Sequence, residues 1–202
     1  MPAASSALLL AACEKGDDPE VFFQLSNGIP VESRDVGGDT CLGCAAFNGR
    51  LETCILLLRH GANTNAASSA SGDTPLMWAA AAGHCGICEL LLANGAGPSA
   101  TNEKGYSALY RAAYKGQAHV VRLLLAAGAD VTARTAHGKT ALDQARENQD
   151  RDVCFALEVF ERQDQVEMER IKLMFPQAAA NYISLPPAHE VGKSPTAMRP
   201  PR

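Results

Sequence analysis

Two cysteine pairs, Cys41-x-x-Cys44 and Cys85-x-x-Cys88, have the spacing at which thiolates share a zinc ion. By residue type they are the part of the chain most able to do chemistry. A metal or thiol site there is the enzyme-class alternative for this protein. Their wider context points elsewhere. Cys88 falls in a recurring column of small apolar side chains with Val21 and Val121, and Cys41 stands where Pro75 stands in a neighbouring segment. Buried structural thiols are expected, with no bound metal. The five histidines, His60, His84, His119, His137 and His189, accompany no serine or cysteine in a recognisable nucleophile motif. Phosphate-cradling and dinucleotide-binding glycine patterns are also missing, because the glycines recur at turn spacing. We therefore expect no catalytic residue, no cofactor and no small-molecule substrate.

Composition is that of a globular chain. Of 202 residues, 47% are hydrophobic and 20% charged, and the formal net charge is -4, which points to neither nucleic acid nor a membrane surface as the partner. Seven cysteines leave at least one unpaired, which suits a reducing compartment: the cytoplasm, with the nucleus as an alternative. The apolar "ALLLAAC" (7–13) has no basic residue before it and Glu14-Lys15 directly after, unlike a secretory signal. The longest apolar runs are too short to span a bilayer.

Periodicity organises the rest. Gly38, Gly72, Gly105 and Gly138 are spaced 34, 33 and 33 residues apart, and Gly28, Gly61, Gly95 and Gly128 are spaced 33, 34 and 33 apart. The extra residue falls in "NAASSASG" (65–72), a small-residue loop where an insertion costs little. Alignment on Leu9, Leu42, Leu76, Leu109 and Leu142 gives five units. Three residues later stands an alanine every time: Ala12, Ala45, Ala79, Ala112 and Ala145. An alanine fixed at a helical position indicates that two helices approach too closely for a larger side chain. Twelve residues after the leucine come Val21, Cys54, Cys88, Val121 and Cys154, near "LLL" at 56–58, 90–92 and 123–125. Each unit reads as a short alanine-rich helix, a glycine-marked turn, a longer leucine-rich helix and a polar loop.

On these residues the chain resembles the ankyrin-repeat family. The third unit carries the fullest motif, "GDTPL" (72–76), "AAAAGH" (79–84) and "LLLANGA" (90–96). The others keep the frame with "GDTCL" (38–42), "GYSAL" (105–109) and "GKTAL" (138–142). The histidine that the family places after the leucine is replaced by Gly43, Met77, Tyr110 and Asp143, which predicts looser hairpins. The resemblance implies an all-α solenoid of stacked helix-turn-helix units with β-hairpin-like loops over residues 5–162. Its units are 5–37, 38–71, 72–104, 105–137 and 138–162, the two outermost acting as caps. Residues 163–175 read as a capping or extension helix ended by Pro176. Residues 176–202, rich in proline, read as a disordered tail in which Ser194 is a candidate phosphosite.

The same resemblance implies a protein-binding module, an adaptor or assembly subunit that holds a protein partner on its concave face. The column two residues after each leucine reads Ala11, Cys44, Trp78, Arg111, Gln144, and a column that admits arginine and glutamine is expected to stay partly exposed. Residues after the loop glycines (Asp39, Asp73, Tyr106, Lys139) are expected at loop tips. Aromatic residues beside arginine are the usual composition of a binding hot spot. The candidate partner-binding residues are therefore Phe47, Asp73, Trp78, Tyr106, Tyr110, Arg111, Tyr114 and Lys115. An alternative places recognition in residues 163–202, with the repeats as scaffold.

Overall fold

The computed structural model describes the backbone of residues 2–174 and the side chains of residues 6–162. Two compact units are distinguished, Met1–Phe160 and Glu161–Arg202; of the second, only the continuation of the last helix is described. Helices are paired along the chain as α1 (Pro2–Lys15) with α2 (Asp18–Ser26), and α3 (Cys41–Phe47) with α4 (Leu51–Arg59). The series continues with α5 (Pro75–Ala82) and α6 (Cys85–Ala93), α7 (Ala108–Tyr114) and α8 (Ala118–Ala126), and α9 (Ala141–Glu147) and α10 (Arg151–Met174). Between pairs the chain makes hairpin loops, closed at two places by isolated bridges, Arg34 to Thr40 and Thr101 to Ser107.

In the first four pairs the two helices pack on each other, and helices also meet their counterparts in the neighbouring pairs. The inner row is α1, α3, α5, α7 and α9, and the outer row runs from α2 through α4 and α6 to α8. The alanine column explains the inner row. Ala45, Ala79, Ala112 and Ala145 are wholly buried, so the inner helices touch through methyl groups and backbone. The leucine column lies beside it, equally buried. In the outer row the middle leucines Leu57, Leu91 and Leu124 fill the space between layers, and each is worth about 2 kcal/mol of burial. Gln24 occupies that position in α2, and its amide donates to the Glu20 carboxylate at 2.7 Å, which makes its burial tolerable.

Each inner helix from α3 onward starts with a hydroxyl cap, although the family histidine is absent. Thr40, Thr74, Ser107 and Thr140 are N-caps whose hydroxyls accept from the backbone N–H of Gly43, Met77, Tyr110 and Asp143 at 3.1, 3.4, 3.1 and 3.2 Å. At α9 this becomes a reciprocal capping box. Asp143 accepts from the Thr140 N–H and hydroxyl, and those hydrogen bonds hold its carboxyl below the usual carboxylate range. Successive hairpins are tied by Ser69 N–H to the Gly38 carbonyl (3.1 Å) and Ala136 N–H to the Lys104 carbonyl (2.9 Å).

The segment 160–175 is helical to Met174 as part of α10. The side chains of residues 163–174, and the tail with Ser194, lie outside the described residues.

Candidate functional site

The inner helices are short, and their C-terminal ends, together with the hairpins, carry the exposed side chains of interest. Phe47 ends α3, Trp78 lies in α5, and Arg111 and Tyr114 lie in α7. These residues form a ladder across three units. The Phe47 ring meets Trp78 edge-on, with centroids 5.5 Å apart and planes at 77°. The Arg111 guanidinium lies over both Trp78 (5.8 Å) and Tyr106 (5.1 Å), and Tyr106 stacks flat on Tyr110 at 4.9 Å and 4°. Lys115 covers the Tyr114 ring at 5.6 Å.

Local sequence explains why the tryptophan can sit there. Gly43, at the place of the family histidine, has no side chain, and a Cβ on it would lie 3.4 Å from Trp78 Cδ1. The ring thus rests over a bare stretch of α3. Trp78 is half-buried, whereas Phe47 and Tyr114 are each 51% exposed.

Two of the candidate contact residues are placed otherwise than expected. Asp73 is not a loop tip open to a partner. It is 1% exposed, paired with the Arg111 guanidinium and receiving the Asn102 amide at 2.8 Å. Tyr110 is 8% exposed, and its hydroxyl donates to Gln144 Oε1 at 2.7 Å; burial pushes its pKa up. It fills the space between hairpins that its position leaves open. Gln144 corrects a third expectation. Although its column admits arginine, Gln144 is buried, because its amide is bonded on both sides, from Tyr110 and to Asn148 Oδ1 at 3.0 Å. Polarity of a column therefore does not establish exposure when neighbouring units supply partners.

Next to the ladder lies an open depression of about 450 Å3 lined by Glu14, Asp35, Asp39, Gly43, Cys44, Phe47, Asn48 and Trp78. It adjoins a second of about 460 Å3 that shares Glu14 and Asp35 and continues along α1 past Ala7 and Leu10. Sequence periodicity identified its aromatic wall and placed Asp39 at a loop tip. Asp35 was not singled out: it shares the hairpin position of Ser68, Asn102 and Thr135, a polar column that carries no sign of a site.

The cysteine pairs do not form one site. Cys41 and Cys44 are in an inner helix, Cys85 and Cys88 in an outer helix of the next unit. Among the described residues no group of three or more metal-ligating side chains is assembled. Cys41 donates to the Ser33 carbonyl at 3.5 Å. Burial pushes the thiols of Cys44, Cys54 and Cys88 up to about 12. Cys13 is raised further, first by its hydrogen bond with Cys41 and then by burial.

The ankyrin-repeat family model, "Ankyrin repeats (3 copies)", matches residues 8–102 and 86–162. The chain belongs to the ankyrin-repeat family. Ankyrin repeats are in general protein–protein interaction modules, and the family is typically non-catalytic. No individual curated protein matches the sequence. No described helix is long and apolar enough to cross a membrane.

Proposed function

We propose that this protein binds a partner protein stoichiometrically through the face made by its inner helices and hairpins, as an adaptor or assembly subunit inside the cell. The observation that carries this reading is the aromatic and guanidinium ladder from Phe47 through Trp78 and Arg111 to Tyr106. It leaves ring surface open beside a depression. Phe47, Trp78, Tyr106, Arg111, Tyr114 and Lys115 form the contact. Asp73 and Tyr110 act behind it, holding Arg111 and the hairpins in place. An intracellular location accords with seven free cysteines.

Quantitative co-precipitation from host lysate tests the face. Trp78→Ala and Tyr114→Ala are expected to weaken the retained partner by about 2 kcal/mol or more, the scale of a hot-spot truncation, with helical circular dichroism unchanged. Glu89→Ala and Arg122→Ala, at exposed positions of the outer helices α6 and α8, are expected to leave retention intact. Loss confined to the outer-helix variants would reverse the assignment.

A further inference from the structure

Asp39 and Asp73 hold the same place in successive repeats, each following a loop glycine of positive φ, Gly38 and Gly72. Their surroundings differ. Asp73 has two partners from the next repeat, the Asn102 amide and the Arg111 guanidinium, and that guanidinium is itself held over the Trp78 and Tyr106 rings. One repeat earlier, the position of Asn102 is taken by Ser68 and that of Arg111 by Trp78. Ser68 Oγ accepts from Ala70 N–H instead. Asp39 has therefore lost both the amide and the cation. Its Oδ1 is the one buried side-chain polar atom, among the described residues, without a hydrogen-bond partner.

Asp39 also lines the depression of about 450 Å3. Asp39, Asp35 and Glu14 line it together with Phe47 and Trp78, and carboxylates and rings in one depression suit a cation with a flat face. No ion pair among the described residues involves any of the three carboxylates. The nearby arginines are engaged with backbone: Arg34 donates to the Gly38 and Ala67 carbonyls, and Arg50 to the Glu14 carbonyl. The floor registers the resulting field. Burial first, then Asp35, Asp39 and Glu14, raise the Cys44 thiol to about 12.

We propose that this depression receives the guanidinium of an arginine in an extended segment of the partner protein. Asp39 is its ion-pair acceptor, Trp78 and Phe47 are its stacking wall, and Asp35 and Glu14 form an acidic rim. The partner's arginine supplies to Asp39 what Arg111 supplies to Asp73 within the chain. Arginine fits better than lysine because its planar, weakly hydrated head group stacks on a ring while donating to a carboxylate, as Arg111 does. This assignment rests on the reading of the inner-helix face as the partner surface.

Trp78 is the only tryptophan, so the single indole N–H resonance belongs to a wall of the depression. The full chain would be titrated with a blocked alanine pentapeptide carrying a central arginine, and with its lysine and citrulline counterparts. The expected result is a saturable shift of the indole signal with the arginine peptide. Affinity should fall about tenfold or more for citrulline, which keeps the shape without the charge, and for lysine, which keeps the charge without the plane. Asp39→Asn, and separately Glu14→Gln at the exposed rim, are expected to weaken the arginine peptide with circular dichroism unchanged. A linear, non-saturating response to the arginine peptide overturns the proposal, as does equal binding of citrulline. Equal binding of lysine overturns the guanidinium assignment. The co-precipitation with Tyr114→Ala fails or succeeds separately, because Tyr114 does not line the depression. Partner loss there with no arginine binding leaves the face intact and removes this site, whereas arginine binding without partner loss does the reverse.

Discussion

Arg111 holds together more of this surface than any other residue. Its guanidinium neutralises a buried carboxylate, Asp73, and presents its faces to Trp78 and Tyr106, so one side chain sets both the charge and the spacing of the ladder. Removal of the cation strands Asp73 at 1% exposure, with only the Asn102 amide left to it. Arg111→Leu is expected to destabilise the fold by about 3 kcal/mol, the lower end for breaking a buried pair, since the arginine itself is partly solvated. Chemical denaturation measures this. In the double variant with Asp73→Asn the two costs should sum to clearly less than additivity, because the same interaction is removed twice. Additive costs would mean that the pair contributes nothing. Trp78 and Arg111 stood out in the sequence as large or charged residues in an alanine-rich frame. The role of Asp73 did not, since its partner lies 38 residues away in the chain.

At the scale of the element, what matters is how closely one hairpin approaches the next. Gly105 has φ +73°, and a Cβ there would lie 3.0 Å from the Arg134 carbonyl oxygen and 3.0 Å from Thr135 Cα. Gly61 has φ +83° with nothing within 4 Å. Both glycines are repeat landmarks of equal regularity in the sequence, yet only one is also a contact between units. Gly61→Ala is expected to cost about 1 kcal/mol, the left-handed backbone alone, and Gly105→Ala more than that, with strain passed to the hairpin that follows. Thermal melts of the two variants compare them directly; equal shifts would show that the hairpins separate easily. Each inner helix brings its own Thr or Ser cap, and those residues were visible in "GDTCL", "GDTPL", "GYSAL" and "GKTAL" without their capping role being apparent.

Across the whole molecule, the cysteines report on the core. Cys13, Cys41, Cys44, Cys54 and Cys88 are buried, whereas Cys85 and Cys154 are partly accessible. In native protein at pH 8, a thiol reagent is expected to modify Cys85 and Cys154 first. Cys13, Cys41, Cys54 and Cys88 should react only as fast as the stack opens, because burial closes off access. Cys44, at the floor of the depression, should react between the two groups, since burial also suppresses its thiolate. Mass spectrometry of partially alkylated protein gives the order. Early labelling of Cys54 or Cys88 would mean that the outer helices detach from the inner row.

The repeat length, the two helices of each unit and the buried columns were legible in the sequence. They depend on local periodicity, and the same solution is repeated from unit to unit, so each copy corroborates the others. Which polar residues are buried was decided only by the tertiary structure. Asp73, Tyr110 and Gln144 are buried because residues 29 to 38 positions away satisfy them. Asp39, in the same register as Asp73, has a buried oxygen that no described residue satisfies. Desolvation and pairing are set by what the next repeat places opposite a side chain, and a column read down its own length does not contain that information.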